Sequence, residues 1–251
     1  MKKIIVIPAR LSSTRLPNKV LLDLKGKTIL QRVYEQCLKV KGVVVFIATD
    51  NLKVKKSCLK YTQNVIMTSV EHKSGTDRIA EAVKGLDFEA LINVQADEPF
   101  ISPLLIKDLF KELETEKVKV VTACEKLLTS EELFDPNVVK VVKDNENNAL
   151  YFSRSCIPYI RDNSQLLINE KKFFESSPFY KHVGIYGYKK DFLKKYSTLD
   201  NSNLEKLEML EQLRILESGF KIKVLDTKFK SFGIDDEDDY QIALKMVRDN
   251  N

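Results

Sequence analysis

Three basic side chains near the N-terminus have the types and the spacing to bind phosphate. Arg10, Arg15 and Lys19 follow the apolar run 4–7, which predicts a first buried strand, so they should lie in a loop at the carboxyl end of that strand. Ligands of open α/β sheets bind at this edge. Because an arginine holds two phosphate oxygens at once and a lysine adds a point charge, the loop suits a triphosphate. An ordinary basic surface loop is the alternative interpretation.

Two aspartates have the position expected of metal ligands. Asp97 follows the apolar run 91–94, and Asp235 follows the segment 232–234. Mg²⁺ takes few protein carboxylates, together with water and substrate phosphate oxygens, so two aspartates suffice. If both reach one point, they form a two-carboxylate site bridged by triphosphate oxygens. For either aspartate alone, a helix N-cap or a solvated loop is an equally good interpretation.

The pattern of apolar runs predicts the scaffold that must position these residues. Over the first ~110 residues, short apolar strands alternate with amphipathic helices, which is typical of a mainly parallel sheet between two helical layers. The strands are predicted at 3–8, 43–49, 65–68 and 91–94, and helix caps at Thr28, Asp50, Ser74 and Ser102. Right-handed crossovers place all four strand ends at one edge, so the basic loop, 48–50, the turn at Ser74 and 95–99 should converge there.

The sequence between 118 and 219 has a different character. Strands are predicted at 118–123, 138–143, 149–153 and 183–188, with an irregular segment at 161–181 that we expect to be a mobile flap. Ser202 should begin one long helix that ends near Gly219. The inner face of that helix should be lined by Leu204, Leu207, Leu210, Leu213 and Leu216. A strand at 221–225 and a helix at 236–248 follow.

No linker or low-complexity tract divides the chain, so we expect a single domain, 1–251, made of two lobes. A nucleotide-binding part should cover about 1–117 and 220–251, and a smaller part about 118–219.

Composition argues against several classes of protein. The 251 residues carry a formal net charge of +5, with acidic and basic residues interspersed, so no nucleic-acid partner is expected and anionic small substrates are compatible. The four cysteines form no C-x-x-C pair, which argues against zinc ribbons and dithiol redox motifs. The longest apolar runs are far too short to cross a bilayer, and the absence of a signal peptide predicts a cytoplasmic protein.

Five segments, in order along the chain, carry a resemblance to a known family. They are Pro8-Ala9-Arg10 with Arg15-Leu16-Pro17 and Lys19, Asn93-Val94-Gln95 with Asp97-Glu98-Pro99, Ala149 to Arg154, His182 with Gly184 to Tyr188, and Leu207 to Arg214. Through them the chain resembles the 3-deoxy-manno-octulosonate (Kdo) cytidylyltransferases, or CMP-Kdo synthetases, from about residue 2 to the last helix. Each motif alone is modestly specific, but all five at the family spacing are highly specific.

The resemblance implies a fold and a reaction. The fold is a three-layer, Rossmann-like α/β fold of the glycosyltransferase-A type, with a mixed, mainly parallel sheet and a smaller lobe for dimerisation and sugar binding. Its members are usually homodimers. The reaction transfers CMP from CTP to the anomeric hydroxyl of Kdo, which gives CMP-Kdo and pyrophosphate for lipopolysaccharide biosynthesis. Mg²⁺ supports the in-line attack of that hydroxyl on the α-phosphorus.

The resemblance also implies roles for individual residues. Arg10, Arg15 and Lys19 hold the triphosphate and stabilise the departing pyrophosphate, and Asp97 and Asp235 hold Mg²⁺. The catalytic set is therefore Arg10, Arg15, Lys19 and Asp97, and the CTP-binding set adds Pro8, Ala9, Ser74, Gly75, Thr76 and Gln95. The sugar-binding set is Gln95, Arg78, Arg161, His182, Tyr186, Glu211 and Gln212. In that set Arg161 pairs with the sugar carboxylate, and His182, Glu211 and Gln212 bind hydroxyls. Helix capping is an equal alternative for Ser74 and Thr76, and Arg78 faces either the sugar or solvent.

Three places depart from the family pattern. Ala96 and Asn18 stand where glycine is common, and Asp236-Glu237 stands where Thr-Pro is frequent. If the position of Ala96 requires a positive φ, alanine costs roughly 1 kcal/mol there. Asparagine can still adopt the left-handed conformation.

Three other functions stay open. The first is CTP-dependent activation of a related acidic sugar, such as 8-amino-Kdo or a sialic acid. The second is a glycosyltransferase that uses a nucleotide sugar. The third is a nucleotide-binding module without catalysis.

Overall fold

The computed structural model describes residues 1–13, 15–72, 75–162, 168–200 and 202–248. Four parallel strands are neighbours in its sheet: β1 (Lys3–Ala9), β2 (Val43–Thr49), β3 (Val65–Met67) and β4 (Ala90–Asn93). They lie in the order β3-β2-β1-β4. Along the β1–β2 pairing, Lys3 lies opposite Val43 and Ala9 lies opposite Thr49. Along the β1–β4 pairing, Lys3 lies opposite Ala90 and Val6 lies opposite Asn93. In this register the carboxyl ends of the strands meet at one edge, as predicted.

These strands belong to the first of two compact units, which comprises Met1–Lys111 and Ser231–Asn251. The second unit is Glu112–Lys230. β4 is buried on both faces, which is typical of a strand in a parallel sheet that is covered by helices. Within the described ranges, no helix has the length and apolar character to cross a membrane.

Helices follow each of the four strands. They are α1 (Ile29–Leu38), α2 (Leu52–Cys58), α3 (Gly75–Ala82) and α4 (Pro103–Glu114), and a 3-10 helix (Lys19–Leu21) precedes α1. The side chain of Thr28 accepts the N–H of Gln31 at 3.1 Å, so the predicted cap of α1 is confirmed. The predicted cap of α2 is wrong, because Asn51 and not Asp50 accepts the N–H of Lys53 at 2.8 Å. Ser74, the predicted cap of α3, lies outside the described residues.

The second unit is a mixed sheet with short helices. Its strands are β5 (Val120–Lys126), β6 (Lys140–Lys143), β7 (Ala149–Ser153), β8 (Tyr180–Lys189) and β9 (Lys223–Thr227), and its helices are α5 (Ser130–Phe134), α6 (Glu170–Ser176), α7 (Lys190–Tyr196), α8 (Asn203–Glu208) and α9 (Gln212–Glu217). β5 runs antiparallel to β8 and parallel to β9, and β6 and β7 form an antiparallel hairpin. Since β9 pairs with β5, residues 220–230 lie in this unit and not in the nucleotide-binding part where we expected them.

The segment 161–181, predicted to be an irregular flap, contains a helix. α6 lies within it, and its Phe174 packs with Leu127, Leu133 and Phe179 in a buried cluster. The aromatic residues of this segment are therefore partly core residues. The flap prediction also covers 163–167, which lie outside the described residues.

The long helix predicted from Ser202 to Gly219 is interrupted at Met209. α8 ends at Glu208, and Met209, the residue that follows it, adopts the left-handed conformation with φ 54° and ψ 46°. The interruption leaves Leu207 82% exposed, whereas Leu213 in α9 is fully buried. The prediction of one continuous leucine face is therefore wrong.

Contacts with β7 explain where α8 ends. The Nε of Arg154 donates to the carbonyl of Glu208 at 2.9 Å, which satisfies a group that a continuing helix would use itself. The hydroxyl of Ser153 donates to the Glu208 carboxylate at 2.6 Å. α8 and α9 remain tied to each other, because Arg214 donates twice to the carboxylate of Glu205, at 2.7 and 2.6 Å.

The last helix, α10 (Glu237–Arg248), belongs to the first unit. Its Ala243 and Val247, with Ile234 just before it, join a buried cluster with Leu16, Leu24 and Ile29. The core of the first unit is therefore built from both ends of the chain.

Candidate active site

The basic loop leaves the carboxyl end of β1, as predicted. Leu16 and Val20 are buried and anchor the loop on either side of its turn. Asn18 has a φ of 57°, so the asparagine takes the left-handed conformation that the family glycine would take. The backbone N–H of Lys19 donates to the carbonyl of Leu16 at 3.2 Å. These contacts hold the backbone from which the side chain of Lys19 extends.

The ammonium group of Lys19 brings the two predicted metal aspartates together. Its Nζ lies 2.6 Å from Asp97 Oδ2 and 3.1 Å from Asp235 Oδ1. Nη2 of Arg15 lies 3.2 Å from the same oxygen of Asp235. Burial by itself lowers the pKa of Lys19, but the two carboxylates more than offset burial and raise this pKa above its ordinary value. Lys19 is therefore a firmly charged cation between two anions.

Asp235 reaches this point because its segment is docked onto the turn at Asp97 and Glu98. The N–H of Ile234 donates to the carbonyl of Asp97 at 3.0 Å. The hydroxyl of Ser231 donates to the Glu98 carboxylate at 2.7 Å, and Ile234 itself is fully buried. Sequence reasoning missed this support. The position of Glu98 directly after Asp97 could have indicated its role, but no sequence pattern singles out Ser231.

A cavity of about 360 Å³ opens at the sheet edge, within the usual range for small-molecule sites. It is lined by Pro8, Arg10, Ser12, Ser13, Arg15, Lys19, Val20, Gly75, Gln95, Ala96, Asp97 and Asp235. The cavity thus contains residues from every predicted group at this edge except the segment after β2. Ser12 and Ser13 were not predicted as ligands, although hydroxyls beside Arg10 were a signal. Ala9 and Thr76 are buried and do not line it, and Ser74 lies outside the described residues.

Arg10 is tied to the segment that precedes α3. Its Nη2 donates to the carbonyl of His72 at 2.7 Å. This contact differs from those of Arg15 and Lys19, whose partners are the aspartates. The three predicted phosphate-binding cations therefore line one cavity, but Arg10 is held by a backbone carbonyl, whereas Arg15 and Lys19 share Asp235.

Arg78 is a buried structural residue in this structure. It is fully buried, with Nη2 2.5 Å from Asp50 Oδ2 and Nη1 2.5 Å from Thr68 Oγ1. The alternative that Arg78 faces solvent is wrong, and these contacts favour a structural role over the predicted sugar contact. They also explain the cap of α2, because the carboxylate of Asp50 is engaged by Arg78.

The residues that depart from the family pattern are accommodated. The non-glycine residues with positive φ in the described part of the chain are Asn18, Lys25, Asn147 and Met209, so Ala96 causes no such strain. Asp236 accepts the N–H of Asp239 at 3.0 Å and supports the first turn of α10 where the family has Thr-Pro.

The donor set fits a magnesium ion. Two carboxylates, from Asp97 and Asp235, converge on one cationic group beside arginines that suit phosphate. Across the described ranges, no cluster of three or more His, Cys, Asp or Glu side chains that could hold a metal is present. Two carboxylates are the number that Mg²⁺ uses when substrate phosphates and water complete its coordination.

Five predicted sugar ligands lie in the second unit, and three of them, His182, Tyr186 and Glu211, lie close together. The rings of His182 and Tyr186 are 5.2 Å apart between centroids. Burial raises the pKa of Tyr186 well above its ordinary value, and the nearby Tyr188 and Glu211 add to the effect. Gln212 begins α9 directly after Glu211, and its buried Nε2 has no hydrogen-bond partner in the described chain. An unpartnered buried amide of this kind is typical of a site for a polar ligand.

His182 is held as a neutral ring. Its Nε2 lies 2.9 Å from the hydroxyl of Thr122, and the ring of Phe152 packs edge-on at 5.1 Å. Burial lowers the pKa of His182 to about 3. Thr122 was not predicted, because a threonine within an apolar strand gives no signal. Arg161 is exposed and precedes the segment 163–167, which the structure does not describe.

The chain is similar to known proteins over almost its whole length. Residues 4–223 match the family model described as cytidylyltransferase. A curated 3-deoxy-manno-octulosonate cytidylyltransferase of Francisella tularensis subsp. holarctica is 46% identical over 247 residues, which cover 96% of this chain and 97% of the relative. The enzyme of that name from Trichlorobacter lovleyi is 41% identical and covers 99% of both chains.

A solved structure shows the same fold. The CMP:2-keto-3-deoxy-manno-octonic acid synthetase complexed with CTP superimposes with a TM-score of 0.91 at 37% identity, with 100% of both chains covered. The predicted mixed, mainly parallel, Rossmann-like α/β fold is thereby confirmed. The chain therefore belongs to the cytidylyltransferase family, in which it groups with the 3-deoxy-manno-octulosonate cytidylyltransferases.

Proposed function

We propose that the protein transfers CMP from CTP to the anomeric hydroxyl of Kdo, with release of pyrophosphate. The observation that carries this proposal is the convergence of Arg15, Lys19, Asp97 and Asp235 in one cavity at the carboxyl edge of the sheet. Full-length relatives named for this reaction support it. The product, an activated sugar acid, serves lipopolysaccharide biosynthesis.

The residues of the first unit suit a displacement at phosphorus. The sugar oxygen forms a bond to the α-phosphorus of CTP, and the bond from that phosphorus to the bridging oxygen of the β-phosphate breaks. The electron pair of the broken bond leaves with pyrophosphate, and the hydroxyl proton passes to water. Such a reaction depends on in-line placement and on neutralising charge more than on covalent help. Arg10, Arg15 and Lys19 supply cations around the cavity where a triphosphate fits.

Mg²⁺ is proposed as the cofactor, held by Asp97 and Asp235. When bound, the ion supplies positive charge to the phosphate oxygens and makes a coordinated hydroxyl more acidic. The side chains then have two roles: the aspartates hold the ion, and the basic residues hold the β- and γ-phosphates, which leave as pyrophosphate. Pro8, Gly75 and Gln95 line the same cavity and are proposed to contact the nucleotide.

The second unit is proposed to bind the sugar acid. Tyr186 stays protonated because its pKa is raised, so it can donate to a sugar oxygen. His182 is neutral and acts by hydrogen bonding, since a pKa of about 3 makes it a poor proton acceptor. Gln212 offers its unpartnered Nε2 to a hydroxyl, with Glu211 beside it. Arg161 is proposed to pair with the carboxylate of the substrate.

We also propose that the protein acts in the cytoplasm as a homodimer. The second unit exposes large apolar side chains, among them Leu150 at 61%, Leu207 at 82% and Met209 at 77%, which a second copy would cover. Sedimentation equilibrium tests this assignment. A mass of about twice 28.9 kDa supports the dimer, and a monomer at working concentrations contradicts it.

The decisive experiment measures pyrophosphate release from CTP over a panel of sugar acids with Mg²⁺. Kdo is expected to give the highest kcat/KM, above 8-amino-Kdo and N-acetylneuraminate. Preference for either of those two sugars would redirect the proposal to that substrate. Binding of CTP without release of pyrophosphate from any sugar would overturn it in favour of a binding module.

A further inference from the structure

Lys19 occupies the point at which the two metal aspartates converge. Its Nζ is 2.6 Å from an oxygen of Asp97 and 3.1 Å from an oxygen of Asp235. A magnesium ion held by the same two oxygens would lie about 2.0–2.1 Å from each, so the ammonium and the ion compete for nearly the same volume. We propose that Lys19 is a resident counter-ion of Asp97 and Asp235, which excludes free divalent cations until the triphosphate of CTP draws the ammonium away.

The ammonium is well placed to exclude a free ion. The side chain of Lys19 is only 11% exposed, whereas those of Asp97 and Asp235 are 29% and 51% exposed. A cation that arrives from solvent can therefore meet the carboxylates, but it meets them while they already hold a buried positive charge. Repulsion between the two cations at such short range opposes binding strongly.

A triphosphate can release this contact. Lys19 lines the cavity together with Arg10 and Arg15, and its flexible stem carries three rotatable N–H donors that donate to phosphate oxygens as readily as to carboxylate oxygens. When the ammonium turns to the phosphates, both aspartates become available at the moment when phosphate oxygens complete the coordination of the metal. Nucleotide and metal should then each tighten the binding of the other by the same factor. This inference rests on the nucleotide and metal part of the proposed function.

The test is a titration of the full chain with Mn²⁺ in the absence of nucleotide, in which free Mn²⁺ is followed by electron paramagnetic resonance. Lys19→Met removes the charge, and the dissociation constant for Mn²⁺ should fall by about tenfold or more. Lys19→Gln also removes the charge but keeps a polar donor for the carboxylates. It should show the same gain in Mn²⁺ affinity, and it serves as the test if the methionine variant does not fold. Lys27→Met is the matched control, because Lys27 pairs with Glu35 at 2.7 Å and does not line the cavity. This control should bind Mn²⁺ as weakly as the wild type.

Addition of CTP gives a second readout. CTP should tighten Mn²⁺ binding by a larger factor in the wild type than in either Lys19 variant, because only the wild type must first release the ammonium. The proposal is overturned if folded Lys19→Met and Lys19→Gln bind Mn²⁺ no more tightly than the wild type. An equal gain in Lys27→Met would overturn it as well, because the effect would then reflect net charge alone.

These titrations contain no sugar acid and need no turnover. A wild-type protein that releases no pyrophosphate with any sugar would refute the proposed reaction, yet the Mn²⁺ titration would still decide whether Lys19 is a counter-ion. The two proposals can therefore fail independently.

Discussion

The hydrogen bond from Ser231 to Glu98 is expected to set the distance between Asp97 and Asp235, the two aspartates proposed to hold Mg²⁺. Ser231→Ala removes the donor from a buried carboxylate that is 8% exposed. A hydrogen bond to a charged group contributes about 1.5–3 kcal/mol, so the free energy of unfolding should fall by about that amount. For a chain of this length, 1 kcal/mol corresponds to roughly 2–4 °C, and the Tm should fall by about 3–12 °C.

The same change should weaken metal use. Ile234 still holds the other end of the segment through its N–H and its burial, so about half of the loss should appear at Asp235. Half of that loss is about 0.7–1.5 kcal/mol, which raises the Mg²⁺ concentration for half-maximal rate about three- to twelvefold. The assay is pyrophosphate release from CTP and Kdo as a function of Mg²⁺, and the KM for Kdo should stay close to the wild-type value.

The second unit contains a matched control. Ser153 donates to the carboxylate of Glu208 at 2.6 Å, a bond of the same type that has no part in holding the aspartates. Ser153→Ala should lower the Tm by a similar amount and leave the Mg²⁺ dependence unchanged. If Ser231→Ala also lowers only the Tm, the bond to Glu98 is merely structural and the reasoning is refuted. Ser231→Thr, which keeps the hydroxyl, should restore the wild-type Mg²⁺ dependence.

Four further predictions concern single residues. Asp97→Ala should raise the activation free energy by about 2.7–4 kcal/mol, which lowers kcat roughly a hundred- to a thousandfold in a folded protein. Near-normal turnover would contradict its metal role. Arg161→Ala should raise the KM for Kdo and leave the KM for CTP unchanged, whereas an equal rise in both would argue against a carboxylate contact. Asp50→Ala should lower the free energy of unfolding by about 3–5 kcal/mol in urea titration, because it leaves the charge of Arg78 buried and unpaired, and a change below about 1 kcal/mol would contradict this. The pKa of His182 is lowered from 6.5 to about 3 in the folded protein. Between these two pH values the unfolded chain binds a proton at His182 and the folded protein does not, so the free energy of unfolding should fall as the pH drops from 6.5 towards 3. His182→Gln should flatten that part of the stability profile, and an unchanged slope would contradict a buried neutral ring.

The edge of the parallel sheet was predictable because it follows from local patterns. Apolar runs predict the four strands, and the handedness of crossovers places their ends together. Arg10, Lys19 and Asp97 come to one cavity for that reason. Asp235 was recognisable as an acid beside an apolar segment, but its contact with Lys19 depends on docking across more than a hundred residues, which no local pattern encodes.

The errors arose where two residues compete for one partner. Asp50 and Asn51 both suit a helix cap, and the distant Arg78 decides the outcome because it engages the aspartate. Helix propensity favours continuation through Met209, but Arg154, which directly follows β7, donates to the carbonyl of Glu208 that the helix would need. Long-range hydrogen bonds of this kind override local preference and leave little trace in one sequence.

The construction of the first unit from both chain ends has a consequence for biosynthesis. Translation produces residues 1–111 well before Ile234, Ala243 and Val247, which complete the cluster around Leu16. Until then the nascent chain exposes that apolar surface, and Lys19 lacks the carboxylate of Asp235, which it contacts together with that of Asp97 in the folded protein. A product that terminates early is therefore an aggregation-prone client for chaperones and proteases, and not a partly active enzyme. The contact of Lys19 with both aspartates therefore forms only after residue 235 has been synthesised.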